Sequence, residues 1–473
     1  MTPQPTAAHR MVPAVTGPSG TDGDATDAGR ILSDLIRIDT TNEGDNRGRG
    51  ERGAAEYVAG VLATAGVEAR ILESAPGRSN VVARVPGADP SREPFLIHGH
   101  LDVVPADAAD WTVHPFSGEI ADGVVWGRGA VDMKGTCSMT LAMVRSWAAA
   151  GVRPDRDIVL AFTADEEATG EYGSYYLARR HAALFEGCRE AISEDGGYTV
   201  HHAGKRIYPV AVGEQGMAWM RLTARGVAGH GSMPPADNAV AELCHALSRL
   251  ASYRWPVRLT PGVRGMLDAL AAALGETIDH DRLDAEAERL GAVGALFRPV
   301  LRNSANPTML NAGYKVNVIP GSADAHVDGR FLPGFREEFL ETVDRLLGPK
   351  VTREFVCLED APAADPGGPT FDALCSSLVA EDPGAVPVPY VMSGGTDAKA
   401  FHELGIVSYG FAPLALPPDL DYYGMFHGID ERVPVSALDF GVRVLDRFFR
   451  KDAAARTTVP GNAHGGTPGE GAA

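Results

Sequence analysis

Five cysteines in 473 residues, Cys137, Cys188, Cys244, Cys357 and Cys375, are too few and too scattered for a disulfide framework or a thiolate metal cluster. They read as buried or inert thiols of a reducing compartment. No apolar run approaches the roughly 18 residues of a membrane-spanning helix. The first residues, MTPQPTAAHRMVPAVTG, also lack the hydrophobic segment of a secretion signal. The expected location is cytoplasmic, with no membrane partner. Positive charge is short as well: 43 Lys and Arg against 62 Asp and Glu leave a formal net charge of −19. This chain lacks the basic footprint of a phosphate-backbone binder, which excludes nucleic acid as a partner. Familiar signatures are missing too. There is no GxSxG, and the HExxH reading fails because Ile406 stands where the second His should follow His402 and Glu403. Two phosphate-loop readings fail at WGRGAVDMKG, where Asp132 replaces the third Gly of GxGxxG and Met133 the Gly before Lys134.

What is present is a globular composition, 44% hydrophobic and 22% charged, over a length that suits two or three domains. Strand and helix patterns alternate from about Gly29 to Asp195, which predicts an α/β sheet covered by helices on both faces. The middle of the chain instead reads β-α-β-β-α-β, the order of a small ferredoxin-like insert. A helical stretch from about Pro261 to Arg298 interrupts it. The expected architecture is a catalytic α/β/α sheet domain, 28–213 and 361–450, with an inserted lid or dimerisation domain at 214–360. Disordered tails are expected at 1–27 and 451–473, where Gly, Pro, Ala and Thr abound without apolar periodicity.

Chemistry concentrates at strand ends. In HGHLDVVP, alternate residues of a strand share a face, so His98, His100 and Asp102 project to one side near its C-terminal end, where open α/β sheets place active sites. A solvated strand end explains this cluster equally well. Asp132 in WGRGAVDMKG is alone best read as a helix cap. TADEEATG brings adjacent Glu166 and Glu167, ISEDGG brings Glu194 and Asp195, and FHGIDERVP brings His427; each alone is weak. Together, three apolar strands deliver His and acids to one sheet edge, and a late loop adds a His. His and carboxylate without Cys suits Zn²⁺ or a similar divalent ion in an open catalytic site.

The ordered set HGHLDVVPAD, WGRGAVDMKG, TADEEATG, ISEDGG, RGVAGHGSMP, KVNVIPG, SGGTDAKAF and FHGIDERVP resembles the di-zinc metallopeptidase family of aminoacylase, succinyl-diaminopimelate desuccinylase, glutamate carboxypeptidase and carboxypeptidase S. Within it, the carboxypeptidase S and N-fatty-acyl amino acid hydrolase branch looks most similar. The resemblance implies two Zn²⁺ ions per subunit, with Co²⁺ or Mn²⁺ as substitutes. Asp132 would bridge them, His100 and Glu194 completing one site and Glu167 and His427 the other, with Asp195 as the alternative to Glu194. It further implies a cis peptide after Asp132, Asp102 orienting His100, and Glu166 as general base towards a zinc-bridging water. His230 would reach the site of a partner subunit in a homodimer. Arg330, Asn317, Gly394, Gly395 and Thr396 would hold the carboxylate of a peptide or N-acyl amino acid substrate. For Arg330 a plain salt bridge is an equal alternative. A catalytically silent metal-binding or scaffold homologue of the same fold is the competing reading; loss of Glu166 or of a ligand would favour it, and all are present.

Overall fold

The computed structural model describes residues 26–44, 48–233 and 235–456. The tails expected to be disordered fall mostly outside them. Where they overlap, order extends further than expected: Thr26 caps a helix Asp27–Arg37 by accepting from the Gly29 amide at 3.3 Å, and the last helix runs Val435–Arg456.

The larger sheet orders its strands as Ala69–Ala75, Arg78–Val85, Ile158–Thr163, Phe95–His100, Glu190–Ser193, Val407–Gly410, Lys205–Glu214 and Ala385–Met392. Alternation along the strands builds two cores. On Phe95–His100, Phe95 and Ile97 join the core under the helices Asp27–Arg37 and Lys134–Ala150, while Leu96 faces the opposite core with Phe401. Helices therefore cover both faces, as expected for strands that are apolar on both sides. Strand Phe95–His100 runs parallel to Ile158–Thr163 and to Glu190–Ser193. All three consequently end at the same sheet edge.

A second, antiparallel sheet orders Ser304–Ala312, Ser322–Phe331, Gly216–Arg225 and Val351–Glu359. With helices Ala239–Ser252 and Arg336–Leu347 it realises the β-α-β-β-α-β order in two layers. Ala325 and Val327 are buried beneath those helices, and Asp324, His326, Asp328 and Arg330 alternate onto the open face. The helical stretch near 261–298 behaves differently from its expected place in the insert. Helix Pro261–Leu274 packs its Val263, Met266 and Leu270 on Val388 and Tyr390 of the larger sheet. The reason is complementary apolar surface: the edge strand Ala385–Met392 leaves a face that no earlier helix covers. Among the described residues no helix is long and apolar enough to cross a membrane, and all five cysteines are free.

Candidate metal centre

His100 ends its strand buried at the shared edge. Its Nδ1 lies 2.9 Å from the backbone carbonyl of Asp102. A carbonyl can only accept, so Nδ1 carries a proton, and Nε2 is the atom turned towards the neighbouring carboxylates. Nε2 lies 3.0 Å from Asp132 Oδ1 and 3.2 Å from Glu194 Oε2. On the other side of Asp132, His427 Nε2 is 3.3 Å from Oδ2 and 3.0 Å from Glu167 Oε2. Asp132 thus stands between two histidines, each with a further carboxylate. The Asp132–Met133 peptide is cis. Glu166 turns away from its neighbour Glu167, its Oε2 lying 3.9 Å from His100 Nε2. Of the pair Glu194 and Asp195, Glu194 faces His100. Asp195, at a positive φ of 58°, turns its carboxylate to the Tyr198 hydroxyl at 3.3 Å.

Asp102 does more, and by another atom, than sequence reasoning assigned it. Its carboxylate stands 3.6 Å from His100 Nδ1, beyond hydrogen-bond length, and its carbonyl orients the ring instead. The carboxylate accepts the backbone amides of Glu166 and Glu167 at 3.2 and 3.1 Å and the Asn42 side-chain amide at 2.8 Å. Behind these, Arg78 binds Glu51 at 3.0 Å and Asp165 at 2.6 Å, all three buried. Glu431 accepts from the amides of Gly129 and Val131 at 2.8 and 3.2 Å and from Arg128, pinning the segment that carries Asp132. Asp397, which accepts from Thr163, lends its negative charge to the Glu166 side. Asp397 and Glu431 lie inside SGGTDAKAF and FHGIDERVP, where a motif signal existed. Asn42, Arg78 and Glu51 converge only through the fold. Lys134 and His98 are structural: Lys134 Nζ donates to the carbonyls of Leu35 and Ile38, and burial pushes His98 down to about 3.

The electrostatics favour a cation. Burial and then the charge of Glu194 push Glu166 well above the ordinary carboxylate range. Burial also raises Glu194 to about 8 against the opposing pull of His100. Hydrogen bonds to Asp132 and Glu167 lift His427 to about 10. For His100, burial opposes the charged form, but Glu194 and Asp132 outweigh it. Crowding these carboxylates is costly unless positive charge joins them. Donor atoms of His100, Glu166 and Glu194, and likewise of His100, Asp132 and Glu167, lie within 4.8 Å of one another. Glu167 Oε1 is buried with no hydrogen-bond partner. A nitrogen and oxygen donor set of this kind fits zinc or a similar divalent ion.

The centre opens on a cleft of about 810 Å³, lined by Glu166, Glu167 and His427 on one side and Met217, Trp219 and Arg330 of the smaller sheet on the other. Gly395 and Thr396 line it as well. Arg330 is not idle there: its Nε and Nη2 bind Asp328 at 2.8 and 3.1 Å. Asn317 is exposed and does not line the cleft; its carbonyl accepts from the Gly231 amide. His230 is also exposed and outside the cleft, hydrogen-bonded through Nδ1 to Ser232.

Known proteins resemble this chain in sequence and in fold. Residues 96–451 match peptidase family M20/M25/M40. A carboxypeptidase S-like protein of Dictyostelium discoideum is 30% identical over 365 residues, 74% of this chain and 70% of its own. An N-fatty-acyl-amino acid synthase/hydrolase of Mus musculus is 29% identical, over 80% of this chain and 77% of its own. Among solved structures, a metallo-carboxypeptidase from Sulfolobus solfataricus shares the fold with a TM-score of 0.66 and 18% identity, covering 90% of this chain and 98% of its own.

Proposed function

The chain belongs to peptidase family M20/M25/M40, and from that premise we propose that this metallohydrolase cleaves a peptide or N-acyl amide bond and releases an amino acid with a free carboxylate. The observation that carries the reading is Asp132 set between His100 and His427, with Glu194 and Glu167 beyond them and Glu166 beside them. Apart from Glu166, these side chains, five in number, would hold two zinc ions. When bound, such ions acidify water and polarise a carbonyl. Glu166 does the proton work: its carboxylate, kept basic by burial and by Glu194, takes a proton from the attacking water and delivers it to the leaving amine. Asp102 holds Glu166 and Glu167 in place through their amides.

On the substrate side, Arg330 and the loop carrying Gly394, Gly395 and Thr396 receive the free carboxylate, which matches the guanidinium fork. Asp328 keeps that fork oriented until the substrate arrives. The homodimer reading is supported by the exposed apolar side chains Met309, Leu310, Tyr314 and Val316 on and beside the edge strand of the smaller sheet. His230 pairs with Val318 in a short two-stranded ladder and lies outside its own cleft, which supports a role at a partner's site. Five free cysteines suit a reducing, cytoplasmic setting.

The deciding experiment measures bound metal and hydrolysis together, over dipeptides and N-acyl amino acids offered as free acids and as amides. Metal content near two per subunit with turnover of free acids only is the expected outcome. Equal turnover of acids and amides removes the carboxylate specificity.

A further inference from the structure

Two chain crossings join the sheets, and they run side by side. Gly213 forms an antiparallel bridge with Ala363. The Glu214 amide donates to Pro362 at 3.2 Å, and that of Ala364 donates to Val212 at 2.7 Å. Each crossing contributes a buried or nearly buried acid. Glu214 leaves the larger sheet, and Glu359 ends the last strand of the smaller one. Glu359 meets a buried cation, Lys399, in the short helix after the loop Gly394–Thr396. Its Nζ lies 3.4 Å from Glu359 Oε2, with its side chain 4% exposed, and Glu214 feels the same charge. The other oxygens tie the cluster into the larger domain. Tyr175 donates to Glu359 at 2.9 Å and Thr396 to Glu214 at 3.0 Å.

The loop itself leans on this ammonium. A Cβ on Gly395 would stand 2.4 Å from Lys399 Nζ, so the loop passes close over the ammonium. Lys399 also has no hydrogen-bond partner of its own. A charge so buried is retained at a cost unless it holds groups in register. What it would register is the cleft: Gly395 lies beside it, Met217 follows the first crossing, and Arg330 pairs with Met217 on the neighbouring strand. Met217 pairs with Arg330 and with Glu359 across the sheet.

We propose that Lys399 is a positioning residue: by pairing with Glu359, where the second crossing leaves the smaller sheet, it sets that sheet, and with it Arg330, against the loop Gly394–Thr396. This rests on the amide-hydrolase reading. Because the metal ligands all belong to the larger domain and none to the smaller sheet, loosening the pivot should weaken substrate binding without slowing chemistry. Lys399→Met should raise KM by about tenfold or more while kcat stays within about threefold. Lys399→Arg, which keeps the charge, should recover most of the loss. Metal content should not change. In a Glu359→Gln background the effect of Lys399→Met should shrink, since the two act as one unit.

An unchanged KM in Lys399→Met, or a fall in kcat alone, overturns the proposal. Should that variant not fold, an unchanged KM in Glu359→Gln overturns it equally. If the unaltered enzyme hydrolyses nothing on the panel, the reaction reading fails separately. The pivot is then tested by amide exchange at Glu214 and Gln215 in Lys399→Met or, if that variant does not fold, in Glu359→Gln. Exchange faster by about tenfold, with strand 95–100 unaffected, is the expected result, and no change overturns it.

Discussion

Glu166 and Glu167 differ in nothing but position, yet the structure gives them separate surroundings. Asp165 before them takes a positive φ of 66° and is clamped by Arg78, Thr169 and Asn42. Their amides are then both anchored on Asp102, and the two side chains diverge, one towards His100 and one towards His427. Glu166 makes no charge-neutralising pair shorter than 3.9 Å, which leaves it free to accept a proton. Glu167 is engaged with His427 at 3.0 Å. Glu166→Gln should therefore cost about 10² to 10⁴ in rate and leave both metals bound. Glu167→Gln should lose metal. Elemental analysis beside kcat/KM checks this, and the reverse pattern would mean the two roles are exchanged.

At the scale of elements, the centre is assembled from pieces that meet only in space. Parallel pairing brings three strand ends to one edge. The fourth and fifth ligands come from the turn before helix Lys134–Ala150 and from the loop before helix Val435–Arg456. Glu431 straps that turn to that loop through the amides of Gly129 and Val131 and the buried Arg128. Burial raises Glu431 to about 7 despite Arg128, so its acceptor role comes at some cost and calls for a purpose. Glu431→Ala should weaken metal binding by about tenfold or more, since supports of ligating groups typically count for this much. A competition titration against a chelator measures it. Affinity equal to that of the unaltered protein would show that Asp132 and His427 are held without the strap.

For the whole molecule, the question is whether one subunit suffices. His230 lies outside its own cleft, and the edge strand Ser304–Ala312 displays Met309 and Leu310, each more than half exposed. Subunits carrying His230→Ala, mixed with subunits carrying Glu166→Gln, should regain activity in hybrid dimers, because one hybrid site is built wholly from intact parts. No recovery after proven subunit exchange would mean that each subunit works alone. The sequence by itself determined the two sheet types, through periods of two and of 3.6 residues, and the set of acids and histidines at strand ends, because motif order survives without coordinates. Only the tertiary structure decided which atoms meet. Whether Glu194 or Asp195 faces His100 depends on one positive φ, and whether Asp102 uses its carbonyl or its carboxylate depends on amides 64 and 65 residues away. Likewise the helix Pro261–Leu274 went to the larger sheet and Arg330 to Asp328. Such choices rest on long-range contacts, and local pattern carries no information about which distant partner the folded chain will supply.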